Sequence, residues 1–557
     1  MLDKSADIGT TPSETRPARD FQSHLADLES RGLLVRIDRA IDKDTELHPL
    51  VRWQFLGGIP ESRRRAFLFT NVTDGKGRRY DMPVAVGALA ASPEIYAAGM
   101  GRKVEDIGQA WMKAIANPIA PVEVVAAPCQ EIVVTGDELR APGGGLARLP
   151  VPVSTPGFDS APYLTATLCV TRDPDSGVQN MGTYRAALKA TDRLVARMVA
   201  RPSGGAGGYY HWLKYRERGA KMPIAIVIGC APVVVFTGPQ KLALDLDELG
   251  VAGALAGAPI RTVRAKTVDL VVPADAEIVI EGMIDTERLE PEAPFGESNG
   301  YVALEAYNMP MQVTAITSRR APVFASIISQ VTPSESSVIK KVAYEPVFLD
   351  HLRSTLSVKG IRRVVMHERL TNLRPVIFLQ FAAGTPQSEV WRGLSGASAF
   401  IANCGKIVIA VSEDIDPEST DAVLWSFAYR MNPIEDVHIS PYRGGVQGAQ
   451  YGPRDDADST LLIDATRKRP MPPLALPARA FMERARGIWE ELGLPPLAVQ
   501  TPWHGYALGD WTDAWETFAR RAAAGDWETT GRETLARQCS GATPETPVRA
   551  GSAKMAE

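Results

Sequence analysis

The chain has 557 residues and a formal net charge of −4 at pH 7, with 45% hydrophobic and 23% charged residues. This length exceeds what one hydrophobic core normally holds, so two or three domains are expected. The composition is that of an ordinary globular protein. The nearly balanced charge argues against a general electrostatic attraction to nucleic acid or anionic lipid, and we expect no nucleic-acid partner.

The five cysteines are widely separated, and none has a Cys-x-x-Cys spacing. This pattern argues against a disulfide framework or a zinc finger and predicts a reducing compartment, the cytoplasm. Residues 1–20 are polar and contain no apolar signal core, so we expect a disordered N-terminus.

The first domain is predicted at residues 21–125. The segment FQSHLADLESRG has helix-spaced apolar residues, and the strand-like LLVRI follows it. RAFLFTNV and MPVAVGALA continue the strand pattern, and residues 94–117 are typical of one helix closed by Asn-Pro. These segments predict an α/β domain.

The second domain is predicted at residues 126–330. Short strands dominate it from about residue 162, including YLTATLCV, AEIVIEGMI and MPMQVTAI, with helix-like ATDRLVARMVA and LDELGVAGALAG between them. Strands without regular strand–helix alternation predict an antiparallel or barrel-like sheet.

The uncharged stretch 222–240 is nearly long enough to span a bilayer, but Pro223, Pro232 and Pro239 interrupt it. We therefore predict two buried strands joined by a turn there, and no membrane span.

The remainder of the chain divides into three parts. Helical and strand-like segments alternate over residues 331–466, which predicts an α/β domain. The proline-rich RKRPMPPLALP begins a linker and helical extension at 467–540, and residues 541–557 are expected to be disordered. The whole chain is thus expected to be mixed α+β.

The stretch PEAPFGESNGYV places Glu292 and Glu297 on either side of a Pro-Phe-Gly turn. A glutamate, with a reference pKa near ~4.3, donates protons at neutral pH only if burial or a second carboxylate raises that pKa. Two acids facing one arginine can separate in pKa, so that one stays ionised while the other titrates. Arg185, in NMGTYR, is the candidate arginine. A structural ion pair is the alternative interpretation.

The segments Asn-x-Gly-x-Tyr-Arg at 180–185 and Glu-x-Pro-Phe-Gly-Glu-x-x-Gly-Tyr at 292–301 resemble the UbiD-type decarboxylases, which use prenylated FMN. The likeness runs from residue 20 to about 465. It implies an N-terminal α/β portion, a central flavin-reductase-like split β-barrel that binds prenylated FMN, and a C-terminal α/β domain. The implied reaction is reversible, non-oxidative decarboxylation of an aromatic or α,β-unsaturated carboxylic acid.

By the same resemblance, Arg185 receives the substrate carboxylate, Glu292 pairs with Arg185, and Glu297 is the proton donor. A guanidinium suits the first role because it binds a carboxylate through two parallel hydrogen bonds. Loss of CO2 from an sp2 carbon leaves an electron pair that an electrophilic cofactor must accept. A partly protonated glutamate can then return a proton to that carbon.

The resemblance also implies a divalent metal, Mn2+ or Mg2+, with a K+ ion close by, at the cofactor phosphate. Its ligands would be Asn180, Glu248 and His211, although His211 is equally interpretable as a half-buried structural histidine. Lys406 either contacts the phosphate or is a strand-edge lysine. The residues expected to bind the cofactor are Asn180, Met181, Gly182, Thr183, Tyr184, Arg185, His211, Glu248 and Lys406.

Two other functions stay open at this point: an FMN- or NAD(P)H-linked reductase on a split barrel, and a non-catalytic subunit of a carboxylase complex. The presence of Arg185, Glu292 and Glu297 argues against the subunit, because a scaffold needs none of them. The expected partners are the acid substrate, a flavin prenyltransferase that supplies the cofactor, and further copies of the chain in a homodimer or homohexamer. Loops 328–337 and 440–450 are expected to set substrate specificity.

Overall fold

The structure is a computed structural model that describes residues 17–199, 206–240, 242, 246–292, 294–401, 404–443, 458–473, 475, 477–497, 510–538 and 543. The chain forms two compact units, one of residues 1–413 and 423–466, the other of residues 414–422 and 467–557. The disorder expected at 1–20 and 541–557 concerns segments outside the described residues, apart from 17–20 and 543. None of the described helices is both long and apolar enough to cross a bilayer.

The N-terminal region combines helices with short strands, as the sequence predicts. Its elements are α1 (Phe21–Ser30), β1 (Leu34–Ile37), β2 (Ile41–Asp42), α2 (Leu47–Leu56), β3 (Ala66–Phe69), β4 (Val72–Thr73), β5 (Arg79–Tyr80), β6 (Val84–Val86), α3 (Pro93–Met100) and α4 (Ile107–Ala116). The single helix expected over 94–117 is therefore two helices. The first ends because Gly101 adopts a left-handed conformation, with φ of +60°.

The central region is rich in strands. Its elements are β7 (Val122–Glu123), β8 (Ile132–Thr135), α5 (Asp137–Arg140), β9 (Tyr163–Leu164), β10 (Thr167–Arg172), β11 (Gln179–Gly182), β12 (Ala186–Ala190), β13 (Arg193–Ala196), α6 (Gly207–Glu217), β14 (Met222–Ile228), α7 (Pro232–Thr237), α8 (Glu248–Ala256), β15 (Arg261–Arg264), β16 (Val271–Pro273), β17 (Ile278–Ile284), β18 (Glu290–Glu292), β19 (Phe295–Gly296), β20 (Val302–Ala303), β21 (Ala306–Ser318) and β22 (Phe324–Ser326).

Ten of these strands form one antiparallel sheet. Eight follow the order β11-β10-β14-β17-β21-β13-β12-β9, and β8 and β18 also pair with β21. The long β21 thus joins most of the central region into one layer. The last strand, β22, pairs instead with β6 and completes a four-stranded sheet of order β1-β3-β6-β22. This pairing ties the N-terminal region to the end of the central one.

Two local predictions in the central region are wrong. ATDRLVARMVA, expected to be helical, contributes to the β12–β13 hairpin, because β13 pairs with β21 and this long-range ladder outweighs the local apolar pattern. The stretch 222–240, expected to form two strands, contains β14 and then helix α7. Pro232 occupies the first turn of α7, where a missing N–H costs nothing.

The C-terminal region, residues 335–465, alternates strands and helices, as predicted. Its elements are α9 (Glu335–Asp350), β23 (Ile361–Met366), β24 (Val376–Phe381), α10 (Gln387–Phe400), β25 (Ile407–Ser412), α11 (Thr420–Arg430), β26 (Val437–Arg443) and β27 (Asp458–Ala465). The sheet order is β23-β24-β25-β27-β26, with β24, β25 and β27 parallel.

The extension is helical, as expected, over its described residues. It contains α12 (Arg479–Glu491), α13 (Asp513–Ala523) and α14 (Trp527–Leu535), none of which buries a side chain. The linker prediction concerns residues before α12, of which 474 and 476 lie outside the described part.

A buried carboxylate fixes the start of helix α9. Glu335, with no solvent exposure, accepts backbone N–H bonds from Gly87 (2.9 Å), Leu89 (2.8 Å) and Ala90 (3.3 Å). The adjacent Ser334 caps the same helix by accepting from the N–H of Ser337. The position of α9 against the loop after β6 is therefore set by hydrogen bonds that neither segment can make alone.

We predict that Glu335→Ala lowers the free energy of unfolding by about 3 kcal/mol, because it leaves three buried N–H groups without an acceptor. Thermal unfolding followed by circular dichroism measures the change. Glu94→Ala is the matched control, since Glu94 is an exposed first-turn glutamate of α3. An equal, small effect of both substitutions would contradict this account of α9.

Candidate active site

Arg185 binds both glutamates of the turn motif. Its Nε and Nη2 donate to Glu292 Oε1 (2.7 Å) and Oε2 (3.0 Å), which makes a bidentate pair. Its Nη1 donates to Glu297 Oε1 at 2.8 Å. The structure thus brings together the three residues that the sequence predicts to be catalytic.

Burial strengthens the ion pairs that Arg185 makes with Glu292 and Glu297. Glu292 is completely buried, while the side chains of Arg185 and Glu297 are only 12% and 13% exposed. The guanidinium of Arg185 also lies over the Phe295 ring, 4.5 Å from its centroid. Burial by itself would lower the pKa of Arg185, but the hydrogen bonds and charge of Glu292 outweigh it and raise that pKa. Arg185 is therefore a permanent cation.

Two short strand pairings hold the glutamates. Glu292 ends β18 and lies opposite Ala306 of β21. Glu297 follows β19, which pairs with β20, and its N–H donates to the Tyr301 carbonyl at 2.9 Å. The Gly296 N–H donates to Asp159 Oδ1, also at 2.9 Å. The two acids therefore stand on separate strand ends, and Arg185 joins them.

A second arginine, which the sequence analysis did not identify, contacts both acids. Arg197 Nη1 lies 3.4 Å from Glu292 Oε2, and Arg197 Nη2 lies 3.6 Å from Glu297 Oε1. Its backbone N–H donates to the Arg185 carbonyl at 3.0 Å. The expected helix over ATDRLVARMVA concealed this neighbour, because only the β12–β13 hairpin returns the chain to Arg185.

A cavity of about 410 Å3 opens beside the cluster. This volume suits a small-molecule or cofactor site. The predicted residues that line it are Asn180, Met181, Gly182, Thr183, Tyr184, Arg185, Glu248 and Glu297. From the predicted specificity loop 328–337, Ser329 and Ser336 also line it. Residues 444–450 of the second predicted loop lie outside the described part.

The segment 181–184 lines the cavity and could bind a polar ligand. Within the described part of the chain, the buried Thr183 hydroxyl has no hydrogen-bond partner. A side chain at Gly207 would collide with Asn180, and one at Gly238 with Thr183, so both glycines allow the backbone to approach this segment closely. An unpartnered hydroxyl beside an open cavity fits a polar cofactor such as a flavin nucleotide.

Glu248 opens helix α8 and accepts the Met181 N–H at 3.2 Å. Burial raises the pKa of Glu248 to about 7. Among the described residues no cationic side chain forms an ion pair with it. A buried carboxylate of this kind fits a bound cation. The Asn180 amide nitrogen donates a hydrogen bond to the Tyr184 hydroxyl at 3.3 Å. The Asn180 amide oxygen is then a second oxygen, besides those of Glu248, that could bind a cation.

His211 and Lys406 are not among the described residues that line the cavity. His211 Nδ1 hydrogen-bonds the Thr171 hydroxyl at 2.9 Å, and burial lowers the pKa of His211. Lys406 pairs with Asp458 at 2.9 Å. Over the described residues, no three His, Cys, Asp or Glu side chains cluster as a metal site would require. The predicted contacts of His211 and Lys406 thus stay predictions.

Two more cations line the cavity, and the sequence analysis identified neither. Lys340 belongs to helix α9, and Arg374 precedes β24. Both come from the C-terminal region, whose approach to the central sheet depends on tertiary contacts. No local motif in the α9 segment distinguishes Lys340 from a surface lysine.

Three family models match the chain. They are the N-terminal domain, the Rift-related domain and the C-terminal domain of UbiD, 3-octaprenyl-4-hydroxybenzoate carboxy-lyase, over residues 25–115, 121–331 and 338–465. A protein of Synechocystis described as uncharacterized is 28% identical over 449 residues, which cover 76% of this chain and 85% of that protein.

Solved structures give the same result. HmfF from Pelotomaculum thermopropionicum, a UbiD-class enzyme in complex with FMN, is 29% identical with a TM-score of 0.71, over 83% of this chain and 96% of that one. An evolved dimeric form of HmfF, in complex with prenylated FMN (prFMN), is 28% identical with a TM-score of 0.70, over 82% and 97%. The expected mixed α+β architecture is confirmed. This chain belongs to the UbiD family of carboxy-lyases.

Proposed function

We propose that this protein catalyses the reversible, non-oxidative decarboxylation of an aromatic or α,β-unsaturated carboxylic acid with prenylated FMN bound in the cavity. The observation that carries the proposal is the Arg185 cluster. One guanidinium holds a fully buried glutamate with two hydrogen bonds and a second, cavity-lining glutamate with one. This arrangement supplies a cation for the substrate carboxylate and an acid for the proton that replaces CO2.

Arg185 would receive the substrate carboxylate. A guanidinium has five N–H donors, and three of those on Arg185 bond to the two glutamates, which leaves two. Because Glu292 and Phe295 hold the guanidinium plane, a carboxylate that binds the remaining donors is held in one orientation. Fixing the scissile bond in this way removes part of the entropic cost of the reaction.

Glu297 would donate the proton. Glu292 uses both oxygens for Arg185 and has Arg197 nearby, whereas Arg185 donates a single hydrogen bond to Glu297, which also lines the cavity. The carboxylate of the substrate leaves as CO2, and a proton from Glu297 takes its place on the same carbon. Water then reprotonates Glu297, so one proton is consumed for each CO2 released.

When bound, prenylated FMN would supply the acceptor for the electron pair left by CO2. Thr183 and the backbone of 181–184 would line it, and Asn180 and Glu248 would hold a divalent cation, Mn2+ or Mg2+, at its phosphate, with K+ nearby. The HmfF structures with FMN and prenylated FMN, at 29% and 28% identity, support this choice of cofactor. A flavin prenyltransferase would be the required supplier.

An FMN- or NAD(P)H-linked reductase is the competing function. It needs no acid pair beside an arginine, whereas the decarboxylation uses all three side chains. Assembly into a homodimer or homohexamer belongs to the proposal as well, and the dimeric form of HmfF is its nearest support.

Glu297→Gln is expected to reduce CO2 release by at least about 100-fold, because the amide cannot donate the required proton. The purified variant should keep its flavin absorbance, since Glu297 is predicted to act on the substrate. CO2 release is measured across a panel of aromatic and acrylic acids after co-expression with a flavin prenyltransferase. Glu305→Gln, an exposed glutamate between β20 and β21, is the matched control. Turnover of Glu297→Gln at the wild-type rate would exclude Glu297 as the acid.

The ion pair between Arg185 and Glu292 can be tested without the cofactor. Arg185→Met should lower the free energy of unfolding by about 3 kcal/mol, because it leaves the buried Glu292 with only Arg197 at 3.4 Å. Adding Glu292→Gln should recover part of that loss, because the uncompensated charge is gone. Urea unfolding of both single variants and of the double variant gives the coupling energy. Strict additivity would show that the pair does not stabilise the fold.

A further inference from the structure

A second cavity, of about 660 Å3, lies between the N-terminal region and the central sheet. Its wall comes from β5 and the chain on either side of it, and from β8 and the end of β21. None of its described lining residues also lines the cavity beside Arg185. Its volume lies in the range of small-molecule sites, so it is a separate candidate site.

Four exposed arginines contribute to the lining of this second cavity, which is called the arginine cavity below. They are Arg78, Arg79, Arg148 and Arg320. The side chain of Arg78 donates to the Gly143 carbonyl at 3.2 Å, and that of Arg79 donates to the Asn71 amide oxygen at 2.8 Å. Both acceptors are neutral. Over the described part of the chain, none of the four guanidiniums forms an ion pair.

The other charged groups of the arginine cavity leave this positive charge in place. Arg319 also lines it, but two carboxylates, 3.1 and 3.2 Å away, pair with this arginine. Glu131, outside the described lining, accepts the backbone N–H of Arg320 at 2.8 Å. Among the described lining residues, Asp81 is the one carboxylate. Four unpaired guanidiniums against one carboxylate leave a surplus of three positive charges.

The shape of the arginine cavity distinguishes these arginines from scattered surface arginines. A concave site lined by one sign of charge concentrates counter-ions, because its low-dielectric walls focus the electric field. Water and salt screen the mutual repulsion of the four exposed guanidiniums, so the fold tolerates them without a permanent anion. The arrangement therefore suits an anion that binds reversibly.

The floor of the arginine cavity is apolar. Val134 of β8 and Ile316 of β21 lie opposite each other across this strand pair, and both are buried. Leu149, also buried, adds to the same lining. A ligand that fills the cavity therefore needs a body that accepts apolar contacts, in addition to an anionic end.

We propose that the arginine cavity binds a nucleoside diphosphate, with the diphosphate on the guanidiniums and the nucleoside against the apolar floor. A guanidinium binds phosphate oxygens through two parallel hydrogen bonds. A diphosphate ester carries about three negative charges at neutral pH, because the second pKa of a terminal phosphate is near 6, and this charge matches the surplus. The ligand binds and does not react. This inference goes beyond the decarboxylation and does not depend on it.

Calorimetry tests the identity of the ligand. Protein co-expressed with a flavin prenyltransferase is titrated with ADP, UDP, AMP, adenosine and inorganic pyrophosphate. We expect ADP or UDP to bind at least about tenfold more tightly than AMP or pyrophosphate, and adenosine to bind most weakly. Binding should weaken as the NaCl concentration is raised, because exposed charges are screened. Affinity for AMP or pyrophosphate equal to that for ADP and UDP, or no binding of either diphosphate at about 1 mM, would overturn the proposal.

Paired variants assign the binding to the arginine cavity rather than to the cavity beside Arg185. Arg148→Met combined with Arg320→Met should weaken ADP binding at least about tenfold, because two charge-assisted contacts are lost. The matched control combines Arg39→Met with Arg63→Met, at two exposed arginines outside the described lining of both cavities. Thermal unfolding checks that both double variants fold, and each single variant gives a second measurement. An equal effect of the two double variants on ADP affinity would overturn the proposal.

An acidic protein segment is the competing occupant of the arginine cavity. A short polyglutamate peptide that binds more tightly than ADP, with the same dependence on Arg148 and Arg320, would overturn the nucleotide assignment in favour of such a segment. CO2 release is a separate measurement. If ADP binds as expected but no acid releases CO2, the nucleotide site stands and the proposed function fails. If CO2 is released but ADP and UDP do not bind, the proposed function stands and the nucleotide site fails.

Discussion

The buried ion pair between Arg185 and Glu292 is the interaction on which the candidate site depends. A carboxylate without solvent exposure is tolerated only with a charged, hydrogen-bonded partner. The bidentate contact therefore ties the chain between β11 and β12 to β18, and it fixes the guanidinium plane above Phe295. With that plane fixed, Nη1 reaches Glu297. Both proposed roles, binding a carboxylate and returning a proton, require this fixed geometry.

The segment 180–185 connects two different electrostatic environments. At its start, the Met181 N–H donates to Glu248, a buried acid whose pKa is raised to about 7 by burial. At its end, Arg185 lies among several cationic side chains that line the described part of the cavity. The first environment suits a metal-bound phosphate and the second suits acidic substrates. The segment 180–185 can thus align a cofactor with a substrate. This double role would explain why the motif Asn-x-Gly-x-Tyr-Arg is concentrated in six residues.

Two sequence motifs carry Arg185, Glu292 and Glu297, and the structure brings these three side chains together. The alternation of strands and helices was predicted from apolar patterns. The sequence analysis did not predict Arg197, because local apolar spacing favoured a helix where pairing with β21 imposes a hairpin. The sequence analysis did not identify Lys340 as a cavity residue for a similar reason. The position of α9 depends on the contact between Glu335 and the loop after β6, which are about 250 residues apart in sequence. Long-range contacts, which leave no local pattern, account for both omissions.

The most direct test of the central claim is the isotopic content of the product formed in D2O by protein co-expressed with a flavin prenyltransferase. The account predicts that the product carries one deuterium at the carbon that lost CO2, with no consumption of NAD(P)H. Reduction of the flavin by NAD(P)H without CO2 release from any acid tested would contradict it, since the Arg185 cluster would then serve a reductase.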